Sequence, residues 1–237
     1  MKKFLFFLFF VLAGTLPAHA GYFDNFKGVS AADIKPFARD LGSLLGSGTA
    51  NTARSLGFSG FDIGAHSGIM LKPSKDNKVL DDNKAIGIGL VQLEIGMPYR
   101  IDGFIRGNEY EGVAVAGGGL RYGLWNVSDE TFKVNAAIVG MGNMVSAKSF
   151  YAVHWNATLI MSMNLPVVSP YISAGVDETY LVAQSVEDNT LEGKSVRTTM
   201  PRYAAGLRAK FGLGYISGEA AYTHGEMVIG AGAGVRF

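Results

Sequence analysis

The chain has no cysteine. That excludes a disulfide scaffold, a thiol nucleophile and a lipid anchor on an N-terminal cysteine. It also lacks a strong charge of either sign, with 21 Lys and Arg against 20 Asp and Glu. Nothing in that balance points to nucleic acid as a partner. Beyond the first 20 residues no run of 18 consecutive apolar residues occurs, so no transmembrane helix is readable. Histidine is scarce: beyond residue 20 only His66, His154 and His224 occur, and no two are close in sequence. No acidic cluster has ligand spacing either, so neither a metal nor another cofactor is expected.

What is present begins with an export signal. Lys2 and Lys3 precede the apolar run Phe4–Leu12, and Pro17-Ala18-His19-Ala20 follows. A charged start, a short apolar stretch and a small-x-small site make a secretory leader, expected to be cleaved after Ala20. The apolar run is too short for a bilayer span, which needs about 20 residues. Residues 1–20 hold two lysines and no acid, so the remaining chain carries 19 basic against 20 acidic residues. Glycine is abundant, 32 of 237, which weakens helices and suits curved strands facing a crowded interior.

The C-terminal segment alternates. Ile229, Ala231, Ala233, Val235 and Phe237 share one face; Gly230, Gly232, Gly234 and Arg236 share the other. Period two is the strand signature. The pattern recurs upstream. Over 58–71, Phe61, Ile63, Ala65, Ile69 and Leu71 oppose Asp62 and His66. Over 131–143, Phe132, Val134, Ala136 and Ile138 oppose Lys133, Asn135 and Asn143. Over 150–164, an apolar face centred on Trp155 opposes His154, Asn156, Thr158, Ser162 and Asn164. Over 200–212, Tyr203, Leu207 and Phe211 oppose Arg202, Arg208 and Lys210.

Apolar-out, polar-in strands of about ten residues fit a lipid-facing barrel with a polar lumen. The expected fold is all-β: an antiparallel up-and-down transmembrane barrel of about ten strands, with eight or twelve also compatible. Strands are expected near 58–71, 85–96, 99–107, 112–124, 131–144, 150–164, 168–182, 200–212, 215–224 and 227–237. Short links at 97–98, 126–130, 165–167 and 213–214 alternate with a set that includes two long charged ones, 73–84 and 183–199. Over 85–96 the apolar phase slips between Leu90 and Leu93, which a bulge would explain. A two-residue turn at Leu213-Gly214 would set Arg208 opposite Glu219, Leu207 opposite Ala220 and Ala205 opposite Tyr222. Tyr99, Tyr122, Trp125, Tyr215 and Phe237 fall near strand ends on the short-turn side and read as an aromatic girdle.

The terminal alternation ending on Phe237 resembles the closing strand of bacterial outer-membrane proteins. That resemblance implies that Phe237 serves as an assembly signal read by the barrel assembly machinery. It places the protein in the bacterial outer membrane, in contact with outer-membrane lipid.

Residues 21–57 do not alternate. Ser30 to Asp33 has the spacing of a capping box. Ile34, Phe37, Leu41, Leu44 and Leu45 then recur at helical spacing, up to Gly46-Ser47-Gly48. We expect a short amphipathic helix that plugs the barrel of 58–237 at or just inside its short-turn rim. Asp33, Lys35, Arg39 and Asp40 would meet lumenal arginines there. A polar lumen argues against deeper insertion of an apolar stripe. The arrangement is loosely similar to the fatty-acid channel family, whose N-terminal segment occupies the lumen.

The projected lumen holds Asp62, Glu94, Asp102 and Glu219 with Arg100, Arg121, Lys133, Arg208, Lys210 and Arg236. In so narrow a space charges must pair. The expected function is therefore that of a non-enzymatic structural or surface barrel with a closed, ion-paired lumen. The alternative is a narrow channel for small or hydrophobic solutes, gated by the N-terminal segment. A third reading, a lipid-modifying enzyme, needs a nucleophile within reach of its base; His66-Ser67 puts its two side chains on opposite faces, and no pair in the sequence has that geometry.

Overall fold

The computed structural model describes residues 23–81, 84–110, 112–125 and 130–237. The expected leader and part of the 126–130 turn lie outside them. Among the described residues ten strands close into one antiparallel barrel, each paired with its sequence neighbours and the last with the first. They are β1 (Phe61–Met70), β2 (Ile86–Gly96), β3 (Ile101–Tyr110), β4 (Val113–Gly123) and β5 (Val134–Ser146). They continue as β6 (Phe150–Met163), β7 (Val168–Ala183), β8 (Ser195–Phe211), β9 (Gly214–Thr223) and β10 (Glu226–Arg236). Closure leaves no unpaired edge, the condition for strands to sit in lipid. The outer face carries Ile95, Ile105, Leu120, Trp155, Ile172, Tyr203, Leu207 and Ile216, all more than half exposed to the surroundings. Water would not tolerate so continuous an apolar belt, and a bilayer does. This is a transmembrane barrel of the bacterial outer-membrane type.

Strand β8 begins at Ser195, inside what the sequence suggests is loop. Here Val182 pairs with Ser195 and Leu181 with Val196. β7 and β8 thereby become the longest hairpin, and the loop between them shrinks to 184–194.

The expected bulge in β2 is absent. Its ladder with β1 runs unbroken from Phe61↔Ile95 to Met70↔Ile86. The phase changes because the inward face is apolar in the long-loop half of the barrel. Ile86 and Leu90 point in and belong to one buried cluster with Met70, Val115, Val145, Leu181 and Val228. Val91 and Ile95 point out. The apolar inward face has a partner, which is the N-terminal helix.

That helix, α1 (Ile34–Gly46), lies inside the lumen. Ile34, Phe37, Leu41, Leu44 and Leu45 are no more than 1% exposed. Burial of each is worth roughly 1.5–3 kcal/mol, which gives a helix too short to stand alone its stability. Ser30 does not cap α1. Its hydroxyl donates to Asp33 in the preceding turn, and Asp33 is the N-cap residue without a side-chain cap bond.

The glycine-rich inner face of β10 has a steric reason. A Cβ at Gly234 would meet Tyr215 Oη at 2.6 Å, and one at Gly232 would meet His66 Nδ1 at 2.8 Å. A Cβ at Gly230 would collide with the Glu219 side chain. Glycines on one strand make room for lumenal side chains on its neighbours.

Candidate functional site, a plugged lumen

The N-terminal segment runs the whole length of the lumen. At the long-loop mouth Phe23, Phe26, Phe37 and Phe150 form an aromatic cluster with ring centroids 4.7–6.1 Å apart. Lys27 pairs with Glu187 of the 184–194 loop at 3.5 Å. α1 then descends. Below it, Thr52 and Ala53 contact Ser162, and Ser55 and Leu56 contact Asp102. The chain leaves at the short-turn mouth, where the Gly96 amide donates to the Gly60 carbonyl, and turns into β1. The helix therefore sits at the mouth opposite to the one its sequence suggests. Its apolar stripe decides the depth, because the matching apolar wall lies only in the long-loop half.

Close approach to the wall depends on two glycines one turn apart in α1. A Cβ at Gly42 would collide with Thr179 of β7, and one at Gly46 with the Arg202 guanidinium of β8. Glycine inside a helix costs about 1 kcal/mol relative to alanine, and here it sets the packing distance.

The wall supplies what the helix lacks at its C-terminal end. α1 has no basic residue in its last turn. Arg202 Nη2 instead donates to the Ser43 carbonyl at 2.7 Å, and Arg106 donates to the Leu45 carbonyl. Two cations thus meet the negative end of the helix dipole and its free carbonyls. Arg202 is held in turn by Asp177 at 2.7 Å, and Asp177 accepts from Asn156 at 2.6 Å. His154, fully buried, has Nδ1 3.1 Å from Thr179 Oγ1 and Nε2 3.6 Å from Asp177.

Below this layer lies the expected charge network. Arg121 bridges Glu94 and Asp102, the latter at 3.0 Å. Asp102 also accepts from Ser55 Oγ at 2.8 Å and from the Leu56 amide at 3.0 Å. Asp62 accepts from Tyr215 at 2.9 Å and faces Arg208 at 3.7 Å and Arg236 at 3.6 Å. Arg208 donates to Asn51 at 2.8 Å and lies over the Tyr215 ring. Glu219 accepts from the Gly48 amide at 2.8 Å and from Tyr171 at 3.2 Å. Lys210 reaches Asn164 at 2.8 Å near the short-turn mouth.

Two residues expected in the lumen are elsewhere. Arg100, at a positive φ in the 3-10 turn Pro98–Arg100, swings outward and donates to Tyr122 Oη at 3.2 Å. Lys133 lies in the turn before β5, exposed and paired with Glu130 at 3.0 Å. In both cases the strand phase stops before the residue. Conversely, Tyr215 is not in the girdle. It is the second residue of β9 and is 3% exposed inside the lumen. Arg106, Asp177 and Arg202 were not projected as network members. The signal for Arg106 and Asp177 was their inward phase, on strands where apolar residues occupy both faces.

The β8–β9 register also differs. Arg208 faces Ser217, and Glu219 faces Gly206. The turn residues are Gly212 and Leu213, not Leu213 and Gly214, because Gly212 takes the positive φ of 61° that the turn requires. Leu207 then faces Gly218, and Ala205 faces Ala220.

Asp40 does not reach a lumenal arginine among these contacts. It accepts from Ser74 Oγ, from Asn77 Nδ2 at 2.7 Å and from His224 Nε2 at 2.9 Å. His224 Nδ1 in turn lies 3.1 Å from Ser43 Oγ. A serine, a histidine and an aspartate thus stand in a row at hydrogen-bonding distances, a placement the sequence does not reveal. Residues 40 and 43 come from one helix and 224 from a hairpin turn. Ser43 and Asp40 are fully buried, and Ser43 Oγ is also 2.9 Å from the Arg39 carbonyl. With that backbone bond made, Oγ has no proton left for the imidazole.

No family model and no curated relative matches the chain. Among solved structures it is similar to Ail, the attachment invasion locus protein of Yersinia pestis. That match has 18% identity and a TM-score of 0.34, over 76% of this chain and 97% of that one. LpxR from Salmonella typhimurium matches at 9% identity and TM-score 0.37, over 73% and 99%. Neisserial surface protein A matches at 12% and 0.32, over 74% and 95%.

Proposed function

We propose that the protein is a non-enzymatic outer-membrane barrel, sealed by its own N-terminal segment, that presents its long loops at the cell surface. One observation carries this reading: the segment 34–57 runs through the lumen from one mouth toward the other and is bonded to the wall along its length. Short turns at 97–100, 164–167 and 212–213 mark the periplasmic end, following the asymmetry of such barrels. The 71–85 and 184–194 loops, with residues 23–33 among them, are then external. Outer-membrane lipid surrounds the apolar belt. The chain-terminal Phe237, whose backbone pairs with Phe61 at the β1–β10 seam, serves the assembly machinery.

A gated narrow channel is the second reading. Its support is the polar inner wall beside 46–57, which includes Gln92, Asn143 and Ser162. Planar-bilayer recording separates the two. We expect full-length protein to be silent, and protein lacking 30–55 to conduct if it still shows heat-modifiable mobility. Steady conductance of the intact chain overturns the sealed-barrel reading. The Ser43–His224–Asp40 row is read as a latch between plug and turn. Hydrolysis of outer-membrane lipid by the intact protein, abolished by Ser43→Ala, would replace that reading with an enzyme.

A further inference from the structure

The short-turn mouth is not completely filled. A basin of about 420 Å³ opens there beneath the exit of the N-terminal segment. Its charged side chains are of one sign: Arg54, Arg208, Lys210 and Arg236 line it, together with Phe237, and no Asp or Glu side chain does. The carboxylate in contact with two of these guanidiniums is Asp62, deeper in the wall. It is shared between Arg208, Arg236 and the Tyr215 hydroxyl.

Arg208 is only 4% exposed, yet its donors are not all used. Nη1 donates to Asn51, Nη2 stands 3.7 Å from Asp62, beyond hydrogen-bond reach, and Nε has no partner. A buried guanidinium donor without an acceptor costs free energy that an incoming oxyanion would recover. The surrounding side chains Ser162, Asn164 and Ser169 add neutral donors. The cations come from strands β8 and β10 and from the N-terminal segment, so they converge on a guest from more than one direction. A tetrahedral anion with several oxygens matches that better than a planar carboxylate, which one fork-like arginine satisfies alone.

From the cavity, its single-sign lining and the unused donor of Arg208, we propose that this basin binds a phosphate group. The phosphate belongs either to a free anion in the periplasm or to a lipid headgroup of the inner leaflet beside the barrel rim. The periplasmic placement rests on the orientation proposed above; the anion chemistry does not.

The test uses full-length protein in a phosphate-free sugar detergent. Sodium phosphate is titrated calorimetrically against sodium chloride of matched ionic strength, and short-chain phosphatidylglycerol is titrated in parallel. Saturable binding of inorganic phosphate supports a free-anion site. Binding of phosphatidylglycerol alone supports a headgroup site. Arg208→Gln should weaken whichever probe binds by about tenfold or more, the scale of one charge-assisted contact. Should Arg208→Gln lose heat-modifiable folding, Lys210→Glu at the rim replaces it and should abolish binding by reversing a charge. The proposal is overturned if neither probe binds saturably, or if binding survives Lys210→Glu unchanged. Failure here would leave the silence of the intact barrel in bilayers untouched.

Discussion

His224, in the turn between the last two strands, places Nε2 2.9 Å from Asp40 Oδ1 on the lumenal helix. A side chain from the far end of the sequence thereby fastens the plug at the long-loop mouth. His224→Ala should leave Asp40 accepting from Ser74 and Asn77 alone and cost about 1–3 kcal/mol. The loss should appear first as faster amide exchange in 34–46, before any change in barrel mobility on a gel. Unaltered exchange in the helix would show that the latch does not hold it.

Gly42 is the tightest point between helix and wall. Gly42→Val should push α1 from Thr179 and destabilise by about 1–3 kcal/mol, the usual penalty of overpacking. Gly140→Ala is the control, since a Cβ there meets nothing within 4 Å. Equal urea midpoints for the two variants would contradict the packing described.

Asp102 ties the segment to the wall near the short-turn mouth. Asp102→Ala strands the buried Arg121 with Glu94 alone and removes the acceptor of Ser55 and Leu56. A loss of about 3–5 kcal/mol is expected, as when one member of a buried ion pair is removed. Equilibrium unfolding in lipid vesicles measures it, and a change below 1 kcal/mol would count against the network.

The β8–β9 register can be read covalently, because the chain has no cysteine of its own. Ala209 faces Ile216. Ala209→Cys with Ile216→Cys should crosslink on oxidation, while Ala209→Cys with Gly218→Cys should not. The opposite result would restore the register with Leu213-Gly214 at the turn.

In the 184–194 loop, hydrogen bonds from the Thr190 hydroxyl and amide hold Asp188 below the ordinary carboxylate range. The turn they close is therefore fully favoured above the usual aspartate pKa and weakens as pH falls through the depressed value. Thr190→Val should move the Asp188 midpoint upward in a carboxyl NMR titration. No movement would mean the hydroxyl contributes nothing.

Strand number and facing were legible because period two survives wherever one face meets lipid. The pattern over 150–164 and 200–212 suffices to place Trp155 and Leu207 outside and Asn156 and Arg208 inside. It fails where both faces are apolar. Over 86–96 the inward Ile86 and Leu90 imitate a slipped strand, because their partner is a helix distant in sequence. Turn ends fail for another reason: Arg100 and Lys133 continue the alternation in sequence after the ladder has ended in space. The Ser43–His224 contact was illegible in principle, since nothing local specifies a meeting 181 residues apart.

The threading of 34–57 through a closed ring has a consequence for the order of events in folding. Residue 23 emerges at one mouth, while Phe61 starts β1 at the other. An α-helix with its side chains is roughly 10–12 Å across, and the barrel wall already touches it on several sides. The ring therefore forms around the segment rather than admitting it afterwards. Pairing of Asp62 with Arg236 and Met70 with Val228 becomes the final step in any molecule that keeps its segment, a clasp that shuts after its contents are in place. An N-terminal segment that arrives late would be locked out, and such molecules would carry an empty barrel from birth.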